Sequence, residues 1–141
     1  MADNFTSFFK ENTIAPEAVE YIASERFKDA EGKPLPWKIR PITSEEFGDI
    51  QKAATRTRIV KGKPDVKVDM GEFCAEWCAR AVVHPNLKDK KLQDNWGAVG
   101  ETDLLTRMLP IAGEIQDLYA KAREIAGFDR DIGEAIDEAK N

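Results

Sequence analysis

Residues 69–97, DMGEFCAEWCARAVVHPNLKDKKLQDNWG, constrain the fold more than any other stretch of the chain. Met70, Phe73, Cys74, Trp77, Cys78, Ala81 and Val82 recur at the three-and-four spacing that puts side chains on one face of a helix. Asp69 stands where a side-chain oxygen can cap the free backbone N–H groups, and Glu72 occupies the reciprocal position of a capping box. Pro85 is expected to end the helix, because it has no N–H to donate and drives the preceding residue out of the helical region. A second, short helix is expected from Asn86 onward, stopped by Gly97. So regular an apolar face predicts a central helix on which the remaining elements pack.

At 141 residues the chain suits one compact domain and is too short for two ordinary ones. Hydrophobic residues at 42% and charged residues at 33% predict a well-solvated globular surface around a real core. The net charge of -5 argues against nucleic acid as the main partner, since neutralising phosphates calls for a basic surface. No apolar run approaches the ~18 residues of a membrane span. The first residues lack the basic and apolar regions of a secretory signal. With both cysteines on the apolar helix face, reduced buried thiols and a cytoplasmic setting are expected.

Before the central helix, Phe5, Phe8 and Phe9 predict a short N-terminal helix. Docking on the core by its rings is favoured over an exposed partner-binding peptide. Residues 17–28 and Trp37–Arg40 alternate apolar and polar side chains around a turn rich in Gly and Pro, DAEGKPLP. An antiparallel hairpin packed by Trp37 and Ile39 follows, with Pro41 arguing for an edge strand. Thr43-Ser44-Glu45-Glu46 is a capping box flanked by a hydrophobic staple of Ile42 and Phe47, so a helix is expected from there to about Thr57. The basic run from Arg56 to Lys67 reads as a solvated loop, with Val66 and Val68 able to add a short strand.

Beyond Gly97, Thr102 is the expected cap of a helix over residues 103–109. A break is expected at Leu109-Pro110, and a longer helix over residues 111–126 ends at Gly127. The fold class expected is mainly α, a small helical domain with an N-terminal β-hairpin. A single domain would cover residues 1–128, followed by a weakly structured or short helical tail over residues 129–141. The tail's thin stripe of Ile132, Ala135, Ile136 and Ala139 is marginal as an isolated helix.

Chemistry is hard to place on this framework. Cys74, Cys78 and His84 supply three soft ligands or a thiol–imidazole pair, which would suit a small metal- or thiol-dependent enzyme. Structural zinc, however, uses four ligands on knuckle turns, and no third orienting group completes a nucleophilic triad. Phosphate-binding glycine loops, a GxSxG elbow and a calcium loop are absent from the sequence. The expectation is no enzyme, no metal and no cofactor. A DNA-binding regulator using the Arg56 to Lys67 connector is the other alternative. Trp37 and Trp77 are expected in the core. Trp96 suits either the core edge or an interface anchor.

Three segments taken together, RFKDAEGKPLPWKIRPITSEEF, AVVHPNLKDKKLQDNWG and DLLTRMLPIAGEIQDLYAKAREIAGFD, resemble the XkdN-like phage tail assembly chaperones. The most specific parts are the Trp37–Arg40 strand with its following cap, the corner from Val83 to Asp89, and Met108-Leu109, Gly113-Glu114 and Gly127-Phe128. The resemblance implies a non-enzymatic factor that binds the tape measure protein, keeps it soluble and promotes tail tube assembly. It implies further partners in the tail tube protein and a longer, frameshifted form of the chain itself, and leaves room for a homo-oligomer. It also implies residence in the host cytoplasm, in an active phage or a defective prophage, and absence from the mature virion. It brings no catalytic or ligand residue with it. Candidate partner contacts are Phe5, Phe8, Phe9, Trp96, Ile132 and Ile136.

Overall fold

The computed structural model describes residues 5–128. Its axis is the helix expected there, α2, over Met70–Ala81. Asp69 caps it by accepting the Glu72 N–H at 3.1 Å, while the Glu72 carboxylate pairs with Arg56. Phe73, Cys74, Trp77, Cys78 and Ala81 are buried, but Met70, in the first turn, is 56% exposed and lies outside the core. The helix stops at Ala81, before Pro85 can act. Its next residues, Val82–His84, extend into a strand, β5, whose pairing satisfies backbone groups that the helix would otherwise hold.

The expected hairpin is present. β1, Val19–Tyr21, pairs antiparallel with β2, Trp37–Ile39, in the register Val19 with Ile39 and Tyr21 with Trp37. β5 pairs with the other side of β2, so the sheet order is β1-β2-β5 and β2 is central rather than an edge. Pro41 does not prevent this, because it follows the ladder. The last N–H before it, that of Arg40, donates to the Ala81 carbonyl at 2.8 Å. Trp37 and Ile39 on the inner face are 2% and 0% exposed.

α1, Ser44–Ala54, begins as its sequence dictates. The Glu46 N–H donates to Thr43 Oγ1 at 3.1 Å, and the Thr43 N–H donates back to Glu46 Oε1 at 3.0 Å. The helix ends three residues earlier than expected. Thr55 turns extended and opens a second sheet, in which β3, Thr55–Val60, pairs along its whole length with β4, Lys63–Val68. The basic run read as a loop is therefore a β-hairpin. Its two-residue turn, Lys61-Gly62, has φ of 52° and 77°, the positive pair that a tight hairpin turn requires. At the hairpin's base the Asp69 N–H donates to the Ala54 carbonyl at 2.8 Å.

Three further helices close the body: α3, Lys90–Trp96, α4, Glu101–Met108, and α5, Ala112–Ile125. Gly97 (φ 66°) and Gly127 (φ 88°) terminate α3 and α5 in the left-handed region, as expected. The break at Leu109-Pro110 is also present. Gly100, not Thr102, precedes the first turn of α4; the Thr102 hydroxyl instead donates to Glu76 of α2 at 3.4 Å.

The core lies on both flanks of α2. On one, Cys78 and Ala79 meet Trp37, Ile39, Leu87, Leu104, Leu105 and Leu118. On the other, Phe73, Trp77 and Ala81 meet Ile50, Ala54 and Ala122. With five α-helices and two small sheets among the described residues, the class is mixed α+β, a larger β share than a helical domain with one hairpin.

Candidate binding surfaces

The thiols and the histidine do not form a centre. Cys74 and Cys78 are buried on α2, whereas His84 is exposed at the end of β5. Burial raises both thiol pKa values, that of Cys78 to about 12, so each stays protonated and poorly nucleophilic at neutral pH. Among the described residues no cluster of three or more His, Cys, Asp or Glu side chains is arranged to hold a metal ion. A groove of about 580 Å³ runs beside β5 between α2 and the start of α4. Four of its charges are matched in pairs: Arg40 meets Glu46 at 2.6 Å and Arg80 meets Glu76 at 4.0 Å.

Around Trp77 the structure assembles something that spacing alone does not reveal. Phe47, Phe73, Tyr119 and Phe128 surround its indole with ring centroids 5.1–5.8 Å away. The Arg123 guanidinium lies over the rings of Trp77, Tyr119 and Phe128 at 5.5, 5.6 and 5.2 Å. A cation held against aromatic faces seals this end of the core. The i, i+4 pairing of Tyr119 with Arg123 on α5 was the available signal.

The apolar residues that remain exposed lie elsewhere. Residues 5–12 form two short 3₁₀ turns, Phe5–Phe8 and Lys10–Asn12. Helical spacing does bring two rings together, Phe5 and Phe9 edge-on with centroids 5.8 Å apart. The segment is not docked by its phenylalanines, however: Phe5, Phe8 and Phe9 are 72%, 83% and 45% exposed, and every residue from 5 to 18 is exposed. Trp96 is half-buried against Phe27, with centroids 6.2 Å apart, and covers the edge of the core. Ile132 and Ile136 lie outside the described residues. The basic residues from Arg56 to Lys67 sit on the β3–β4 hairpin. There Asp65 takes Arg58 at 3.4 Å and Lys67 at 3.9 Å, so part of the charge a DNA contact would need is already paired.

The described residues thus form a well-packed α+β body that buries its two thiols and leaves apolar side chains exposed on its N-terminal segment and its second hairpin, the class of a small α+β domain with uncovered apolar surface. Comparison with known proteins gives that class its family. Over residues 5–140 the chain matches the family described as phage XkdN-like tail assembly chaperone protein, and it belongs to that family. It is 35% identical over 135 residues to the uncharacterized protein YqbN of Bacillus subtilis (strain 168), covering 95% of this chain and 91% of that protein. It is 31% identical, with the same coverage, to the phage-like element PBSX protein XkdN of the same strain. The crystal structure of YqbN matches with a TM-score of 0.75 at 28% identity, covering 92% of this chain and all of that one.

Proposed function

We propose that this tail assembly chaperone acts by binding the tape measure protein, holding it soluble and bringing it together with tail tube subunits. The observation that carries this reading is the N-terminal segment. Its apolar side chains, up to 95% exposed at Ile14, are attached to a body whose own core is complete without them. A long helical partner presents apolar stripes along its length, and exposed aromatic rings are the residue type best suited to cover them. The net charge of -5 favours solubility of the complex. Such an activity belongs in the host cytoplasm during assembly and ends before the virion is mature. A longer frameshifted form would add further tail-binding sequence. Trp96, and beyond the described residues Ile132 and Ile136, are secondary contact candidates.

The test is co-expression with the tape measure protein of the same phage or prophage. A soluble complex is expected with the native chain, and its loss with Phe5→Ser, Phe8→Ser and Phe9→Ser combined. Because those rings are exposed, each of the three exchanges should change stability by no more than about 0.5 kcal/mol. A tape measure protein that stays insoluble with nothing co-purifying, also when the longer form is present, refutes the proposal.

A further inference from the structure

The β3–β4 hairpin leaves one apolar face open. Strict pairing places Thr55, Thr57 and Ile59 beside Val68, Val66 and Pro64 on that face, and among the described residues each strand packs extensively only on its partner strand. Ile59, Val66 and Val68 are 69%, 61% and 46% exposed. A two-stranded ribbon is marginal alone in water, and a one-sided apolar pattern is that of a sheet covered on that side.

The same chain supplies a cover within reach. Phe128 is the last described residue, and its ring lies against Trp77 and Phe47 with centroids 5.1 and 5.2 Å away. Residues 129–141 follow it and carry Ile132, Ala135, Ile136 and Ala139 at helical spacing. From Phe47 to Ala54, where α1 gives way to β3, is about 10 Å of helix. Residues 129–131, if extended, span about the same distance, which brings Ile132 to the base of the hairpin. From there the stripe from Ile132 to Ala139 is about 10 Å long as a helix, and the stretch from Val68 to Pro64 is about 13 Å of strand.

Net charge selects the same place. Residues 55–68 carry +4 and residues 129–141 carry -3, which leaves -6 on the remainder of the chain. The acidic remainder repels a segment of that charge and the hairpin does not. The hairpin's cations lie on its opposite face, where Arg56 pairs with Glu72, and Arg58 and Lys67 with Asp65, so the contact itself is apolar.

We propose that residues 129–141 fold back as a helix and lay Ile132, Ala135, Ile136 and Ala139 on the open face of the β3–β4 hairpin of the same molecule. The short tether holds the stripe at an effective concentration on the order of millimolar, so a contact too weak to join separate molecules is occupied within one. Each partner is marginal alone, the ribbon for want of a cover and the stripe for want of a surface. The cover hides an apolar face from other chains until a competing partner takes it. This contact belongs to the free chain and does not rest on tape measure binding.

Paramagnetic broadening in the full chain tests it. A nitroxide is attached through Lys140→Cys, Cys74 and Cys78 being buried. Loss of the amide signals of Thr57, Ile59, Val66 and Val68 is expected, with those of α3 retained. Adding Ile132→Ser and Ile136→Ser, or separately Ile59→Ser and Val66→Ser, should restore the hairpin signals. The first pair leaves the hairpin untouched, so it serves even if the second disturbs the strands. In a mixture of isotope-labelled chain without nitroxide and unlabelled chain with it, the hairpin signals should keep their full intensity. Hairpin signals unaffected by the nitroxide, broadening that survives the Ile132 and Ile136 exchanges, or broadening of equal size in the mixture, which would assign the contact to another copy, would each overturn the proposal.

Discussion

Replacing Glu46 by Gln isolates one charge that the fold uses twice. Its carboxylate closes the capping box at the start of α1 and receives a two-pronged contact from Arg40, with Nη1 to Oε1 at 2.7 Å and Nη2 to Oε2 at 2.6 Å. The bidentate pair ties the residue after β2 to the first turn of α1 across the short connection between them. The Arg40 guanidinium, aided by the Thr43 N–H, holds the Glu46 carboxyl at about 2, against an ordinary 4.5. A displacement of that size corresponds to roughly 3 kcal/mol in favour of the ionised, folded form. The Arg40 side chain is 36% exposed, so solvent screening reduces the expected contribution to about 1–2 kcal/mol. Because the folded value lies below the ordinary one, the contribution is complete above pH 4.5 and is lost as pH falls toward 2. Urea denaturation of the native chain and Glu46→Gln, at several pH values from 7 to 2.5, gives the comparison. The variant should be about 1–2 kcal/mol less stable at neutral pH, with the gap narrowing steadily below 4.5. A gap that stays constant to pH 2.5 would assign the loss to the cap geometry rather than to charge. A gap under about 0.3 kcal/mol at pH 7 would refute the coupling altogether.

Two other outcomes follow from the core. Trp77→Ala removes a side chain that is 0% exposed and ringed by four aromatic residues, and should cost about 3–5 kcal/mol in denaturant unfolding; a loss below 1 would mean the aromatic cluster is not the packing centre it is drawn as. Cys74 and Cys78, buried and with raised pKa values, should resist a neutral-pH thiol reagent in the native state and react fully once unfolded; rapid native labelling would contradict their placement.

Local signals carried much of this fold, and long-range pairing carried the rest. The capping box at Thr43, the alternation of Trp37–Ile39 and the glycine stops at Gly97 and Gly127 each act through a few neighbouring residues, and each is where the sequence places it. The strand β5 has no such signal. Val82 continues the helical stripe of α2, yet it is drawn into the sheet because β2 has an open edge beside it. Exposure is likewise a tertiary property. The spacing of Phe5, Phe8 and Phe9 puts rings on one side of a turn but says nothing of whether the body offers a groove for them, and here it does not. Family membership was legible because it rests on residue identity, whereas the partner surfaces depend on what the fold leaves uncovered.

The second hairpin carries two signals at once in the same residues. In TRTRIV–KG–KPDVKV, Thr, Ile and Val alternate with charges across a two-residue turn, which is strand patterning. The density of Lys and Arg in the same residues is equally the composition of a solvated connector. Period distinguishes a strand from a loop: a loop has no reason to keep apolar residues on one face, and this run keeps Ile59, Val66 and Val68 there, with Val60 beside the turn as the exception. The exposed apolar positions Val66, Val68 and Met70 continue at alternate residues from β4 into the first turn of α2. Met70, the one member of the central stripe that the core does not take, thus continues the hairpin's sequence pattern. The apolar pattern of α2 therefore buries the body of the helix in the core and leaves its first residue exposed.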